Sequence, residues 1–208
     1  MNSGKIFFIR HAPVKQVKGY FPKYNPCAII DKSRFKSLAY YLPSKSIWYV
    51  SPLRRAVQTA TILSKYVSYS EINQEEKLVE QSYGDWAGQK ISKVWSEIKN
   101  KKRHNFSFIS PDFSPPNGES FLKQCERVSD WLTNLSTPDG NNVIVITHAG
   151  TIRAALAHIL EINPQIAVGI EITHLSVSIF EILLKKYNKH AGGKFRLLAI
   201  NKEIEIPN

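Results

Sequence analysis

Ile6-Phe7-Phe8-Ile9-Arg10-His11-Ala12-Pro13 is the stretch on which the fold turns. Four consecutive apolar residues, all good β-formers, predict a strand buried on both faces, because a strand with one wet face alternates apolar with polar. The run stops at two polar side chains and then at Pro13. The chain therefore leaves the sheet at Arg10-His11, with both side chains at the carboxyl end of the strand. In an open α/β sheet, ligands bind in the crevice beyond those ends.

Two more runs of the same kind follow, Ile47-Trp48-Tyr49-Val50 and Val143-Ile144-Val145-Ile146. After the first, Ser51-Pro52 predicts an N-cap with proline at the first helical position. The helix would run to about Tyr66, with Leu53, Ala56, Val57, Ala60 and Leu63 on its apolar face and Arg54, Arg55 and Gln58 near its start. The other run ends in Thr147-His148, with a helix expected from Gly150 to about Leu160. Helical spacing also predicts helices over 32–42, where Pro43 stops the pattern, and over 90–100. The clearest amphipathic pattern spans Glu119 to Leu135, with Phe121, Leu122, Cys125, Val128, Leu132 and Leu135 as its apolar face. Residues 78–88 read as a strand end and loop. The last strands are expected over 174–184 and 194–201, with turns at Asp139-Gly140 and over 188–193.

The stretches 13–31 and 90–118 carry Pro13, Gly19, Pro22 and Pro26 in one, and basic residues followed by Pro115-Pro116 in the other. They read as loop or lid segments that wall a site. Alternating strands and helices with wholly apolar strands predict an α/β fold, a three-layer α/β/α sandwich around a mostly parallel sheet. A single domain over residues 1–208 is expected.

The net charge of +11 favours anionic partners. The basic run at Lys99, Lys101, Lys102 and Arg103 lacks interleaved aromatics and any RNA-recognition signature, so no nucleic-acid partner is predicted. Two distant cysteines, Cys27 and Cys125, read as free thiols of a reducing compartment, and no soft-ligand cluster suggests a metal site. The N-terminal apolar run is too short for a signal peptide, and no stretch approaches a membrane span. A cytoplasmic protein without a membrane partner is the expectation; the sequence leaves monomer or homodimer open.

Two strand ends carry histidines, His11 and His148, and two arginines, Arg10 and Arg55, stand at a strand end and a helix start. Two guanidinium groups and two imidazoles converging on one point suit a dianionic phosphoryl group. Here the sequence resembles the histidine phosphatase superfamily, the phosphoglycerate mutase-like group. The resemblance rests on Arg10-His11-Ala12, on Ser51, Leu53, Arg55 and Ala56, on Leu78, Glu80, Tyr83 and Gly84, and on Thr147-His148-Ala149-Gly150. Pro116-Asn117-Gly118-Glu119-Ser120 is similar to a further family stretch.

The resemblance implies a phosphohistidine mechanism without metal or other cofactor. His11 would attack phosphorus through one neutral ring nitrogen, with the other N–H held by a backbone carbonyl. Arg10, Arg55 and His148 would neutralise the equatorial oxygens. Glu80 would protonate the leaving alkoxide, holding its proton near neutral pH by desolvation and repulsion from phosphate. Ala12 and Ala149 replace the family's usual glycines, which is tolerable at negative φ. Pro13 and Val17 stand where several members have phosphate-contacting polar residues. The short interval between Gly88 and Gly118 resembles the small phosphatases more than the mutases. The implied activity is hydrolysis of a phosphorylated small molecule; the alternatives are mutase-type phosphoryl transfer and a non-catalytic phospho-ligand-binding member. His104, His158, His174 and His190 are expected to fill surface or packing roles.

Overall fold

The apolar run at residues 6–9 lies at the heart of a six-stranded sheet. The computed structural model describes residues 3–135, 140–183 and 193–204. Its elements are β1 (Gly4–Arg10), α1 (Lys32–Tyr41), β2 (Ser46–Val50), α2 (Arg54–Leu63), β3 (Tyr69–Gln74), α3 (Ile91–Ile98), α4 (Phe121–Asn134), β4 (Val143–Thr147), α5 (Ala149–Ile159), α6 (Pro164–Ala167), β5 (Val177–Ile182) and β6 (Phe195–Lys202). Single 3-10 turns lie at Glu76–Leu78 and Gly84–Trp86.

The strand order is β3-β2-β4-β1-β5-β6. Strands β3, β2, β4 and β1 run parallel, β5 runs against β1, and β6 runs against β5. The mostly parallel sheet predicted from the apolar runs is thus present. Successive side chains of a strand point to opposite faces, and both faces here are dry. Ile6, Phe8, Val143, Val145 and Phe180 pack under α4 and α5. Phe7, Ile9, Trp48, Ile144 and Ile146 pack under α1 and α2. Each side chain of this size contributes about 1.5–3 kcal/mol by leaving water, which is why the central strands are apolar throughout.

A third, smaller cluster joins the two irregular stretches. Phe21 from one packs with Val94, Ile98 and Ile109 from the other and with Trp86 from the 3-10 turn at Gly84–Trp86. Backbone bonds stitch them together: Phe21 N–H to Gln89 O at 2.9 Å and Ile91 N–H to Gly19 O at 2.8 Å. The cluster fixes both walls of the crevice as one unit.

Several expectations are corrected. β3 was not foreseen: Tyr69-Ser-Glu-Ile-Asn-Gln is an edge strand, mostly exposed, and lacks an apolar run. Residues 78–88 contain no strand. Strand β5 begins only at Val177, because 174–176 form a tight corner. On α4, Leu122 is only partly buried while Gln124 is fully buried. The expected turn over 188–193 lies almost wholly outside the described residues, and so does Asp139.

Candidate active site

Strand register brings distant motifs together. Parallel pairing of β1 with β4 sets Arg10 opposite Thr147, and pairing of β2 with β4 sets Val50 opposite Ile146. The next residue of each strand, His11, His148 and Ser51, therefore emerges at the same sheet end. Two bonds extend the ladders there: His11 N–H to Thr147 O at 2.9 Å, and Ser51 N–H to Ile146 O at 3.0 Å.

His11 is 4% exposed. Its Nδ1 lies 2.7 Å from the Ala12 carbonyl oxygen, which can only accept, so Nδ1 carries the proton. Nε2 is then a bare lone pair, and it accepts from Arg55 Nε at 3.0 Å. Burial, then His148, Arg55 and Arg10, push the His11 pKa down to about 2, so the ring is neutral. Ala12 and Ala149 are not among the non-glycine residues at positive φ, so a methyl in place of hydrogen strains neither backbone.

Arg55 is buried, with Nη1 donating to Tyr24 O at 3.1 Å. Its neighbour Arg54 faces solvent. Arg10 donates from Nη1 to Ile172 O at 2.5 Å and keeps a buried Nε without a partner. Burial lowers the pKa of both arginines, but guanidinium remains a cation at any ordinary pH.

Ser51 was expected to cap a helix. Instead α2 starts at Arg54 with Leu53 in the cap position, and the Ser51 hydroxyl pairs with His148 Nε2 at 2.8 Å. His148 is 0% exposed and its Nδ1 is buried without a partner. Its ring centroid is 5.0 Å from that of His11. Desolvation first, then Arg55, Arg127 and Arg10, hold its pKa well below the ordinary histidine value. A neutral His148 can hydrogen-bond a phosphoryl oxygen but brings no positive charge to it.

Glu80 is carried on a segment pinned from two helices and a strand end. Thr147 Oγ1 donates to Leu78 O at 2.7 Å, Thr151 Oγ1 to Val79 O at 2.8 Å, and Arg127 Nη2 to Val79 O at 2.9 Å. The carboxylate accepts from Gln124 Nε2 at 3.2 Å, Gln81 N–H at 3.1 Å and Gly150 N–H at 3.3 Å. Desolvation is the largest single influence and would raise its pKa. The Gln124 bond, the Arg55 charge and the two backbone donors together outweigh it, so the pKa lies below the usual carboxylate value. With these protein groups alone Glu80 is a carboxylate; the proton expected on it requires the charge of a phosphate group as well.

These groups surround a cavity of about 240 Å³. Arg10, His11, Arg55 and Glu80 line it, while His148 lies behind them. Val14, Gln16, Lys23 and Tyr24 come from one irregular stretch and Phe106 and Ser107 from the other. Val17 is 56% exposed and does not line the cavity. Three contributors were missed. Gln124 hid among the apolar residues of a helix. Arg153 lines the cavity from α5, its Nε donating to Ile170 O at 2.6 Å. His174 was expected in a surface or packing role, yet it lines the cavity with its ring centroid 5.4 Å from that of His11. The one sequence signal for Arg153 is its position on the helix that His148 opens; His174 had none. Among the described residues, no helix is long and apolar enough to cross a membrane.

The sequence profile of the histidine phosphatase superfamily (branch 1) matches residues 33–191. The chain belongs to the histidine phosphatase superfamily. The matched span contains Arg55, Glu80 and His148 but starts after Arg10-His11, which strand register brings to the same place. The chain is 26% identical over 147 residues to the 2,3-bisphosphoglycerate-dependent phosphoglycerate mutase of Cytophaga hutchinsonii, covering 67% of either chain. It is 29% identical over 135 residues to the metal-independent phosphoserine phosphatase of Arabidopsis thaliana, covering 61% of this chain and 55% of that one. Its fold is shared with mycobacterial glucosyl-3-phosphoglycerate phosphatase, with a TM-score of 0.73 at 16% identity over 96% of this chain and 99% of that one.

Proposed function

We propose that this histidine phosphatase hydrolyses a phosphorylated small molecule through a phosphohistidine on His11. The observation that carries the proposal is the tautomer of that ring: Nδ1–H is tied to the Ala12 carbonyl, and the bare Nε2 meets Arg55 at the cavity. A nucleophile needs an unprotonated nitrogen held in one orientation, and this ring has both.

In the first step Nε2 bonds to phosphorus and the ester P–O bond breaks. Arg10 and Arg55 stabilise the charge on the equatorial oxygens, with a hydrogen bond from His148. Glu80 gives its proton to the leaving oxygen. The bound phosphoryl dianion, a like charge beside the carboxylate, raises the Glu80 pKa and lets it hold that proton. In the second step water attacks phosphorus, its proton passes to Glu80, and the P–N bond breaks to release inorganic phosphate. No step calls on a metal or another cofactor. The two irregular stretches, which supply much of the cavity wall, would select the substrate. The domain is proposed to comprise the whole chain, acting in the cytoplasm.

The mutase named among the relatives favours a second reading, phosphoryl transfer back to a bound product. Incubation with p-nitrophenyl phosphate and, separately, with 3-phosphoglycerate distinguishes them. Release of inorganic phosphate supports hydrolysis. Efficient isomerisation of phosphoglycerate without phosphate release would replace it with the mutase reading. Phosphate binding without turnover of either kind would favour a non-catalytic member.

A further inference from the structure

The corner before β5 is built at a cost. Leu175 has φ of 62°, the left-handed region that a bulky non-glycine residue rarely occupies. The corner is held from several sides. Leu175 N–H donates to Arg10 O at 3.0 Å, Arg34 Nη2 donates to His174 O at 2.9 Å, and Ser176 Oγ donates to Thr173 O at 2.8 Å. Asn201 Oδ1, from β6, accepts from Thr173 N–H at 2.6 Å. Strain that is fixed this firmly at a cavity edge marks a position where a side chain is being aimed.

The side chain so aimed is His174. Its ring stands edge-on to His11, with an interplanar angle of 64°, and borders the same cavity. Its Nε2 is buried and has no hydrogen-bond partner. An orphaned buried polar atom is costly, and a ligand oxygen would satisfy it. Burial first, then Arg10, Arg34 and Arg55, push the His174 pKa down to about 4, so the ring enters as a neutral donor with one N–H to give.

We infer that His174 is a further phosphoryl-contacting residue, donating a hydrogen bond to an oxygen of the group that His11 attacks. The inference rests on the proposed use of the cavity as a phosphoryl site, but not on turnover. Arg10 reaches the phosphoryl group from the strand that the corner grips through its own carbonyl. The strained corner thus sets two phosphoryl contacts at once, Arg10 and His174.

Orthovanadate, a phosphoryl mimic, provides the test, with affinity measured by calorimetry on the full chain. His174→Phe keeps the ring packed against His11 and removes the donor; His174→Gln keeps a donor and removes the ring. Loss of about tenfold or more in vanadate affinity is expected for His174→Phe, the worth of one hydrogen bond to a charged group. His174→Gln should recover most of it. Vanadate affinity in His174→Phe equal to that of the unsubstituted protein would overturn the inference, and so would loss of affinity in both variants alike, which marks a packing role. Failure of the unsubstituted protein to bind vanadate would overturn it too. Vanadate binding without turnover would instead count against the hydrolytic reading alone.

Discussion

Arg55 Nε donates to His11 Nε2 across 3.0 Å, so the guanidinium covers the lone pair that the proposed mechanism needs. An incoming phosphoryl group offers that guanidinium charged oxygens, which are better acceptors than a neutral imidazole nitrogen. Binding and exposure of the nucleophile are then one event. Arg55→Lys keeps the charge but loses the planar fork, and kcat/KM for p-nitrophenyl phosphate should fall by about 10²–10³. A variant within about threefold of the unsubstituted enzyme would mean that charge alone suffices.

Glu80→Gln removes the proton donor while keeping a polar group of the same size. Aryl phosphates have good leaving groups and need little protonation, whereas alkyl phosphates need it fully. The first step should therefore be impaired by about 10²–10⁴ for an alkyl phosphate and much less for p-nitrophenyl phosphate. Single-turnover rates on the two substrate classes check this. Equal losses on both would remove Glu80 from the role of acid.

Gly150 lies in the first turn of α5 against Glu80, and a Cβ there would collide with Glu80 Oε1 and come within 2.9 Å of Gln124 Oε1. Gly150→Ala should displace the carboxylate, lowering kcat by about tenfold or more while the protein still folds. A cooperative thermal melt together with kcat on an alkyl phosphate reads out both. An unchanged kcat would show that the carboxylate position is not critical.

His11 and His148 are both held neutral below the ordinary histidine pKa. In the unfolded chain each takes up a proton as pH falls through about 6.5, while in the folded chain each stays neutral. The unfolded state then binds more protons, so stability is complete above about pH 6.5 and declines below it. Each ring contributes at most about 1.4 kcal/mol per pH unit below that point. Thermal midpoints between pH 7 and 5 should fall steeply, and His11→Asn should flatten the slope. A flat profile in the unsubstituted protein would contradict the burial of two neutral rings.

The features legible in the sequence were those fixed by local pattern. Uninterrupted apolar runs at 6–9, 47–50 and 143–146 marked the central strands, because burial on both faces leaves no room for polar alternation. Their polar terminations pointed to Arg10, His11 and His148, and the helix start pointed to Arg55. Edge strand β3 escaped because one row of neighbours and much solvent demand little of its composition. Ser51 was misread because serine before proline is also a good cap; only the pairing of β2 with β4 reveals that its hydroxyl meets His148. Gln124 and His174 gain their positions from helix packing and from a corner held by distant residues, and neither leaves a local trace.

The central claim is a covalent phosphohistidine on His11, and acid-quench trapping tests it most directly. Brief reaction with a ³²P-labelled aryl phosphate, followed by peptide mapping under alkaline conditions that preserve phosphohistidine, should place the label on the peptide containing His11. His11→Ala should carry none and should release no phosphate. Full phosphatase activity in His11→Ala, or label on another residue, would contradict the account.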